Sequence, residues 1–542
     1  MADRSPPTGK GPLTVGDLCA VAPFIDGSPI SSSSDSTVAV HEPATGRPLL
    51  DIPAGSSQDV DRAVRSSRTA FAGGAWRTTL PSARKRTLHR WAELIEASAS
   101  KLDALDAIEM GKPVSTPVFS AQSAAGLLHF FAEAVDKHFG DVFTSDPAST
   151  VLQTRVPRGV VAAIVPWNFP TYNAVLKVAP ALAAGNCVIL KPSELASQSA
   201  LVLAKLALEA GLPAGVLNVV PGRGEIVGKA LGEHPLIDMV TFTGSSAVGK
   251  LLLTYAGHSN MKVVSAECGG KSPHIVFDDG LDSDSVAQVI AGGLCLNQGQ
   301  VCSVGSRLLV QDSLEEALVG RIVAHLNKIV VGDPQRVDTT YGPLASAVQL
   351  RKVISHVQSG AADGADLIYG GGKLLPGHDE ELLRRSDHTR RGDALASPAA
   401  HPKLEVNPIA VVNDLLIPPA RGGCILRGKK ERPVREAHDL LESLIPALRG
   451  TNPNALVALI HVLVQRGVRG YERTDGLDQR AEVNRLHLPS PRKSRCSHYT
   501  DNRSPRKKTS CRVLEFADFE GVPAANLCVM SLASTICFQH YQ

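Results

Sequence analysis

Two stretches of this sequence hold residues suited to covalent chemistry. LNQGQVCSVGSRLLV (296–310) presents a cysteine at 302 behind a Gly- and Gln-rich approach, and SAECGGKSPHIVF (265–277) presents a glutamate at 267. A lone cysteine is either a small buried hydrophobe or, as a thiolate, a nucleophile. Gly299 allows the backbone near Cys302 to bend close to a ligand. Cys187, Cys268 and Cys295 read as structural. Glu267 ends what reads as a buried strand, where a carboxylate is costly without a task or a partner.

Three further stretches bear on the same chemistry. VPWNFPTYN (165–173) sets Asn168 directly behind an apolar run, where its amide can donate into a cleft. LKPSE (190–194) puts Lys191 and Glu194 at the end of the next run, a cation and an acceptor for ribose hydroxyls. FTGSSAVG (242–249) leaves a strand through Gly244 and Ser245 and enters a helix through Gly249. Backbone N–H groups at such a helix start suit a pyrophosphate. Alone this glycine spacing is usually just a turn; behind the fourth strand of a parallel sheet it gains weight.

The elements that must carry these residues are legible in the apolar rhythm. VVAAIV (160–165), CVIL (187–190), VLNVV (216–220), MVTF (239–242) and KVVSAE (262–267) are apolar throughout rather than alternating, as in parallel strands covered on both faces. Helical stretches at 172–184, 197–209, 224–231 and 247–255 separate them, which predicts a doubly wound parallel sheet in an α/β fold. A nucleotide would sit outside the carboxyl ends of those strands. Upstream, residues 1–36 read as a loose arm leading into strands near 38–52. Helices are predicted from Ser57, from Pro81 and over 101–110, the last stopped by Gly111 and Pro113. Downstream lie SRLLV (306–310), a helix over 314–328 and DLIYG (366–370).

The chain has 542 residues, 43% hydrophobic and 20% charged, which excludes a disordered or collagen-like polymer and predicts two to four domains. Ten cysteines without a CxxC pair support neither a disulfide scaffold nor a zinc site, so no metal is expected. The opening MADRSPPTGKGPLTVGD lacks a signal-peptide core, and the most apolar stretch (174–190) is broken by Lys177, Pro180 and Asn186. A soluble protein of a reducing compartment, the cytoplasm, without membrane partners, is expected. The net charge of +3 conceals a break: residues 1–372 carry 30 basic and 34 acidic side chains, residues 373–542 carry 26 and 19.

Taken together, PWNFP, LKPSE, FTGS, ECGGKSP and NQGQVC, with GPLASAVQLRKV (342–353), resemble the NAD(P)-dependent aldehyde dehydrogenase superfamily over about residues 22–372. The nearest branch looks like the dehydrogenases of γ-glutamyl-γ-aminobutyraldehyde, although Cys268 stands where the family more often has Leu. The resemblance implies a Rossmann-like NAD domain (37–265) and an α/β catalytic domain (266–372). It implies Cys302 as nucleophile, Glu267 as the base that activates water, and Asn168 as an oxyanion donor. Cofactor contacts are implied at Pro166, Trp167, Lys191, Ser193, Glu194, Gly224, Phe242, Gly244, Ser245, Val248 and Gln349. NAD is the expected cofactor, with NADP as the alternative, a small-molecule aldehyde the substrate, and a homo-oligomer the assembly.

Beyond residue 372 the family's EEIFGPV-like segment and its FGG-x-K-x-S-G do not occur, and nothing in 373–542 aligns with it. An abrupt loss with Arg enrichment has the mark of a reading-frame shift, leaving the catalytic domain incomplete and the tail irregular. On that reading the chain as written is inactive or aggregates. A second reading is a catalytically dead relative whose basic runs, RGKKERPVR (427–435) and 490–512, bind an acidic partner; no nucleic-acid fold surrounds them, so nucleic acid is not the expected partner. A third is an acylating enzyme that passes the acyl group to coenzyme A, against which Glu267 argues.

Overall fold

The computed structural model describes residues 13–146, 149–278, 280 and 282–370, with the backbone of Val412–Asn413 and Ile425–Arg427. The basic runs beyond Arg427 lie outside the described residues.

Four short strands come first: β1 (Phe24–Ile25), β2 (Ser28–Pro29), β3 (Thr37–His41) and β4 (Pro48–Pro53). The loose arm expected through residue 36 is corrected here. Phe24 and Ile25 are buried, and Phe24 pairs with Val219 at the edge of the large sheet, because an apolar pair gains by covering that edge. Helices α1 (Ser57–Gly73), α2 (Pro81–Ala97), α3 (Ala99–Met110) and α4 (Ala121–Ala134) follow. Ser56 caps α1 by accepting from the Asp59 N–H at 3.0 Å. Leu88, Trp91 and Ile95 of α2 are buried at the expected spacing. α3 ends at Gly111, whose φ of 86° is left-handed and where a Cβ would strike the Pro343 carbonyl. Strands β5 (Asp141–Asp146) and β6 (Ser149–Gln153) pair antiparallel and are exposed over 141–144 and 149–153.

The parallel strands then arrive with their helices: β7 (Val160–Ile164), α5 (Pro170–Ala183), β8 (Cys187–Lys191), α6 (Gln198–Glu209), β9 (Leu217–Val219), α7 (Lys229–Glu233), β10 (Met239–Gly244), α8 (Ser246–Gly257) and β11 (Val263–Cys268). In space the five run β9-β8-β7-β10-β11, so the winding reverses between β7 and β10. At such a reversal the loops leaving the two central strands diverge and open a crevice. The register keeps the strand ends level: Lys191 lies opposite Ile164, Ile164 opposite Phe242, and Phe242 opposite Ala266. The loops carrying Asn168, Ser193 and Ser245 therefore all leave one end of the sheet, where Glu267 also lies near the end of β11. Every residue of β7 and β8 is buried, as double coverage requires. β11 departs from that expectation: among the described residues it pairs with β10 alone, and only Ser265 of its six residues is buried. Glu267 is thus half-buried on an edge strand rather than sealed in the sheet.

A second hydrophobic core gathers Ala287, Ile290, Leu294, Leu308, Ile322 and Tyr341. It is built on the parallel pair β12 (Ser272–Val276) and β13 (Gly305–Val310), with helices α9 (Ser283–Cys295) and α10 (Glu315–Leu326). Helix α11 (Ala347–Ala362) and β14 (Asp366–Tyr369) follow, and β14 joins a small sheet with β15 (Val412–Asn413) and β16 (Ile425–Arg427). Among the described residues no helix is long and apolar enough to cross a membrane.

Candidate active site

The loop after β7 delivers Asn168 and turns at once into α5. Asn168 is buried, its amide donates to the Gln300 carbonyl at 2.8 Å, and its Oδ1 accepts from the Asn173 amide at 3.1 Å. Of the amide that can donate into a cleft, one proton is committed to the cysteine loop. The Asn168 carbonyl also accepts from the Asn297 amide at 2.7 Å, so a pair of hydrogen bonds ties this loop to the segment that carries Cys302.

That segment is bent sharply. Asn297, Gln298 and Gly299 are all left-handed, with φ of 48°, 57° and 71°. Only glycine takes this conformation freely, so two of the three residues hold strain of roughly 1–2 kcal/mol each. Hydrogen bonds maintain it: the Gln300 side chain accepts from the Ala345 N–H at 3.0 Å and donates to the Asn297 carbonyl at 3.3 Å. Residues 297–300 are buried, whereas Cys302, two residues on, is exposed. Cys187 and Cys295 are buried and their thiols are pushed up to about 12 by desolvation, the chemistry of inert core cysteines. Cys268 is half-buried beside Gly249.

Cys302 reaches the end of β11 through its backbone: the Gly270 N–H donates to the Cys302 carbonyl at 3.2 Å. Arg307 locks the adjacent segment by donating to the Lys271 carbonyl at 2.8 Å. The thiol, though accessible, is ringed by protein, and this desolvation raises its pKa from 9.0. Its own backbone N–H opposes the rise, the negative charge of Glu267 adds to it, and hydrogen bonds from Ser303 oppose it again. A thiol so placed must lose its proton before it can attack.

The remaining candidates divide into two groups. Lys191 is buried, donates to the Pro192 carbonyl at 2.8 Å and pairs with Glu194 at 3.4 Å, and burial lowers its pKa. The Ser193 carbonyl accepts from the Ser197 hydroxyl at 2.9 Å, which closes this loop onto α6. Phe242 is buried, and a Cβ at Gly244 would collide with its ring. Ser245 caps α8 by accepting from the Val248 N–H at 3.3 Å, and both are exposed at the sheet edge. Pro166 is half-buried, and Trp167 packs against Met110, Ala196 and Ala345. Farther along the chain, the exposed Gly224 opens a helical turn (224–228) that runs into α7, and Gln349 lies in the first turn of α11 with its N–H on the Ser346 hydroxyl at 3.3 Å. Neither is hydrogen-bonded to the strand-end residues among those described.

Sequence reasoning passed over Asn297 and Gln300, which fix the cysteine loop, and two buried carboxyls of α3, Asp106 and Glu109. The first pair was within the motif around Cys302 and could have been suspected there.

Residues 30–383 match the Aldehyde dehydrogenase family. A phenylacetaldehyde dehydrogenase of Pseudomonas fluorescens is 44% identical over 355 residues, 64% of this chain and 70% of the relative. Among solved structures, an indole-3-acetaldehyde dehydrogenase of P. syringae in complex with NAD+ and IAA is 42% identical with a TM-score of 0.65, covering 67% of this chain and 74% of that one. A γ-glutamyl-γ-aminobutyraldehyde dehydrogenase of Burkholderia cenocepacia J2315 is 40% identical with a TM-score of 0.65, covering 68% of this chain and 76% of that one.

Proposed function

Because this chain belongs to the aldehyde dehydrogenase family, we propose that it oxidises an aldehyde to a carboxylic acid through a thioester on Cys302, with NAD as cofactor and NADP as the alternative. The residues at the sheet edge suit such a dinucleotide. A half-exposed carboxylate, Glu194, stands beside the buried Lys191 ammonium, a donor and acceptor pair for a ribose diol. The open first turn of α8 offers backbone N–H groups to a pyrophosphate. Glu194 favours NAD, since its charge would repel a 2′-phosphate. We assign the dinucleotide domain to 37–265 and the catalytic domain to 266–372.

The Cys302 sulfur, once deprotonated, attacks the carbonyl carbon, and the oxygen takes up the negative charge. The second amide proton of Asn168 and the Cys302 N–H are the donors available to that oxyanion. The bound dinucleotide supplies the hydride acceptor. Glu267 then removes a proton from the water that hydrolyses the thioester, releasing the acid and the free thiol. The observation that carries this reading is that the loop bearing Cys302 is bonded to the segment leaving β11: the Cys302 carbonyl accepts from the Gly270 N–H, three residues beyond Glu267. A reducing compartment such as the cytoplasm would keep the sulfur available, and a homo-oligomer is the expected assembly.

The test is NADH formation by the full chain with NAD and an aliphatic aldehyde. Cys302→Ala should lower it by at least about 10³-fold. Glu267→Gln should give one rapid equivalent of NADH per site and then stall on the thioester. Wild-type rates in the Cys302→Ala chain would defeat the assignment. A wild-type chain that binds NAD yet makes no NADH would favour the dead-relative reading.

A further inference from the structure

Helix α3 carries Asp103, Asp106 and Glu109, each three residues from the next. Three residues fall short of a full turn by about 60°, so the carboxyls fan over roughly 120° of the helix surface. Each meets the start of a different helix. Asp103 accepts from the Ala121 N–H at the start of α4 at 3.0 Å. Asp106 accepts from the Thr171 hydroxyl at 2.9 Å and its N–H at 3.4 Å, in the first turn of α5. Glu109 accepts from the N–H groups of Ser197 and Gln198 at 3.1 Å each, where α6 begins.

Asp106 and Glu109 are respectively 0% and 2% exposed, which is severe for acidic groups unless they do structural or functional work. The unpaired N–H groups of a helix start, and its positive dipole end, are what can hold them there. The buried Lys112 ammonium donates to Asp103 at 3.0 Å and closes the cluster at the end of α3.

Two separate paths leave this cluster for the site. From Asp106 the path runs through Thr171 to the first turn of α5, where Asn173 donates to Asn168 at 3.1 Å. From Glu109 it runs through Ser197, whose hydroxyl holds the Ser193 carbonyl at 2.9 Å between Lys191 and Glu194. We propose that Asp106 and Glu109 are positioning residues with divided tasks: Asp106 orients the Asn168 donor for the chemical step, and Glu109 orients the Lys191–Glu194 loop for cofactor binding. This rests on the function proposed above.

The experiment compares Glu109→Gln and Asp106→Asn in the full chain, reading NAD affinity by calorimetry without aldehyde and kcat at saturating NAD. Glu109→Gln should weaken NAD binding by about 5–10-fold and leave kcat within about twofold; Asp106→Asn should do the reverse. If either protein fails to fold, Glu109→Asp, which withdraws the carboxyl by one methylene, and Thr171→Val, which deletes one bond to Asp106, should show the same split at smaller size. Equal changes in both parameters, or none in either, overturn the proposal. A wild-type chain that binds no NAD would instead sink the functional reading on which it stands.

Discussion

The sheet edge and the cysteine loop meet at one site but are built in opposite ways. β7 and β8 are buried at every position, and the loops that leave them are closed at once by helix starts and buried side chains. Glu267 and Cys302 sit on an edge strand and just past a left-handed bend, half-buried and exposed respectively. Groups that must hold a ligand in one pose gain from rigid, fully covered supports. Groups that must trade protons with water need access, and the strain of the bend is the accompanying cost.

The comparison can be broken most directly at the contact between its halves. On the proposed mechanism Asn168→Ala removes both a donor toward the substrate oxygen and the bond to Gln300, and kcat should fall by about 10²–10³-fold. A loss of less than tenfold in single-turnover kinetics would mean that the rigid side takes no part in the chemistry.

A thermodynamic test sharpens the rigid side alone. Burial holds the Asp106 carboxyl at about 7 and the Glu109 carboxyl at about 8, against ordinary values of 3.8 and 4.5. Lys112 opposes the rise at Asp106 and Asp103 adds to it, while the N–H groups of Ser197 and Gln198 oppose it at Glu109 and Asp106 adds to it. At these two carboxyls the folded state therefore binds more protons than the unfolded one between about pH 4 and pH 8, and their contribution to stability falls as pH rises through that window. Glu109→Gln should flatten the upper part of the fall in denaturant titrations run at several pH values. An unchanged slope would place the buried charge elsewhere.

The smallest effect is expected on the strained side. Gly299 adopts a φ of 71°, and Gly299→Ala should cost about 1–2 kcal/mol of stability by chemical denaturation. A neutral outcome would show that the bend relaxes easily and is not held as described.

The parallel strands were readable because double coverage writes unbroken apolar runs, and their ends carried the residues of the family motifs. β11 misled for the same reason: VVSAE looks covered, but nothing in the letters says that it has a single neighbour among the described residues. The β5–β6 hairpin left no mark, since Ser149–Gln153 is exposed throughout and burial imposes no period on it. The α3 carboxyls were invisible for a different reason. Acidic residues spaced by three look like a solvated face, and only tertiary packing shows that helix starts take the place of water.

The bond from the Asn168 amide to the Gln300 carbonyl has a mechanical corollary. Because the amide is clasped to the loop that bears the sulfur, a thermal excursion that shifts one carries the other along. Their mutual spacing is thereby insulated from slow breathing of the segments on either side, much as two instruments bolted to one plate stay aligned when the bench moves.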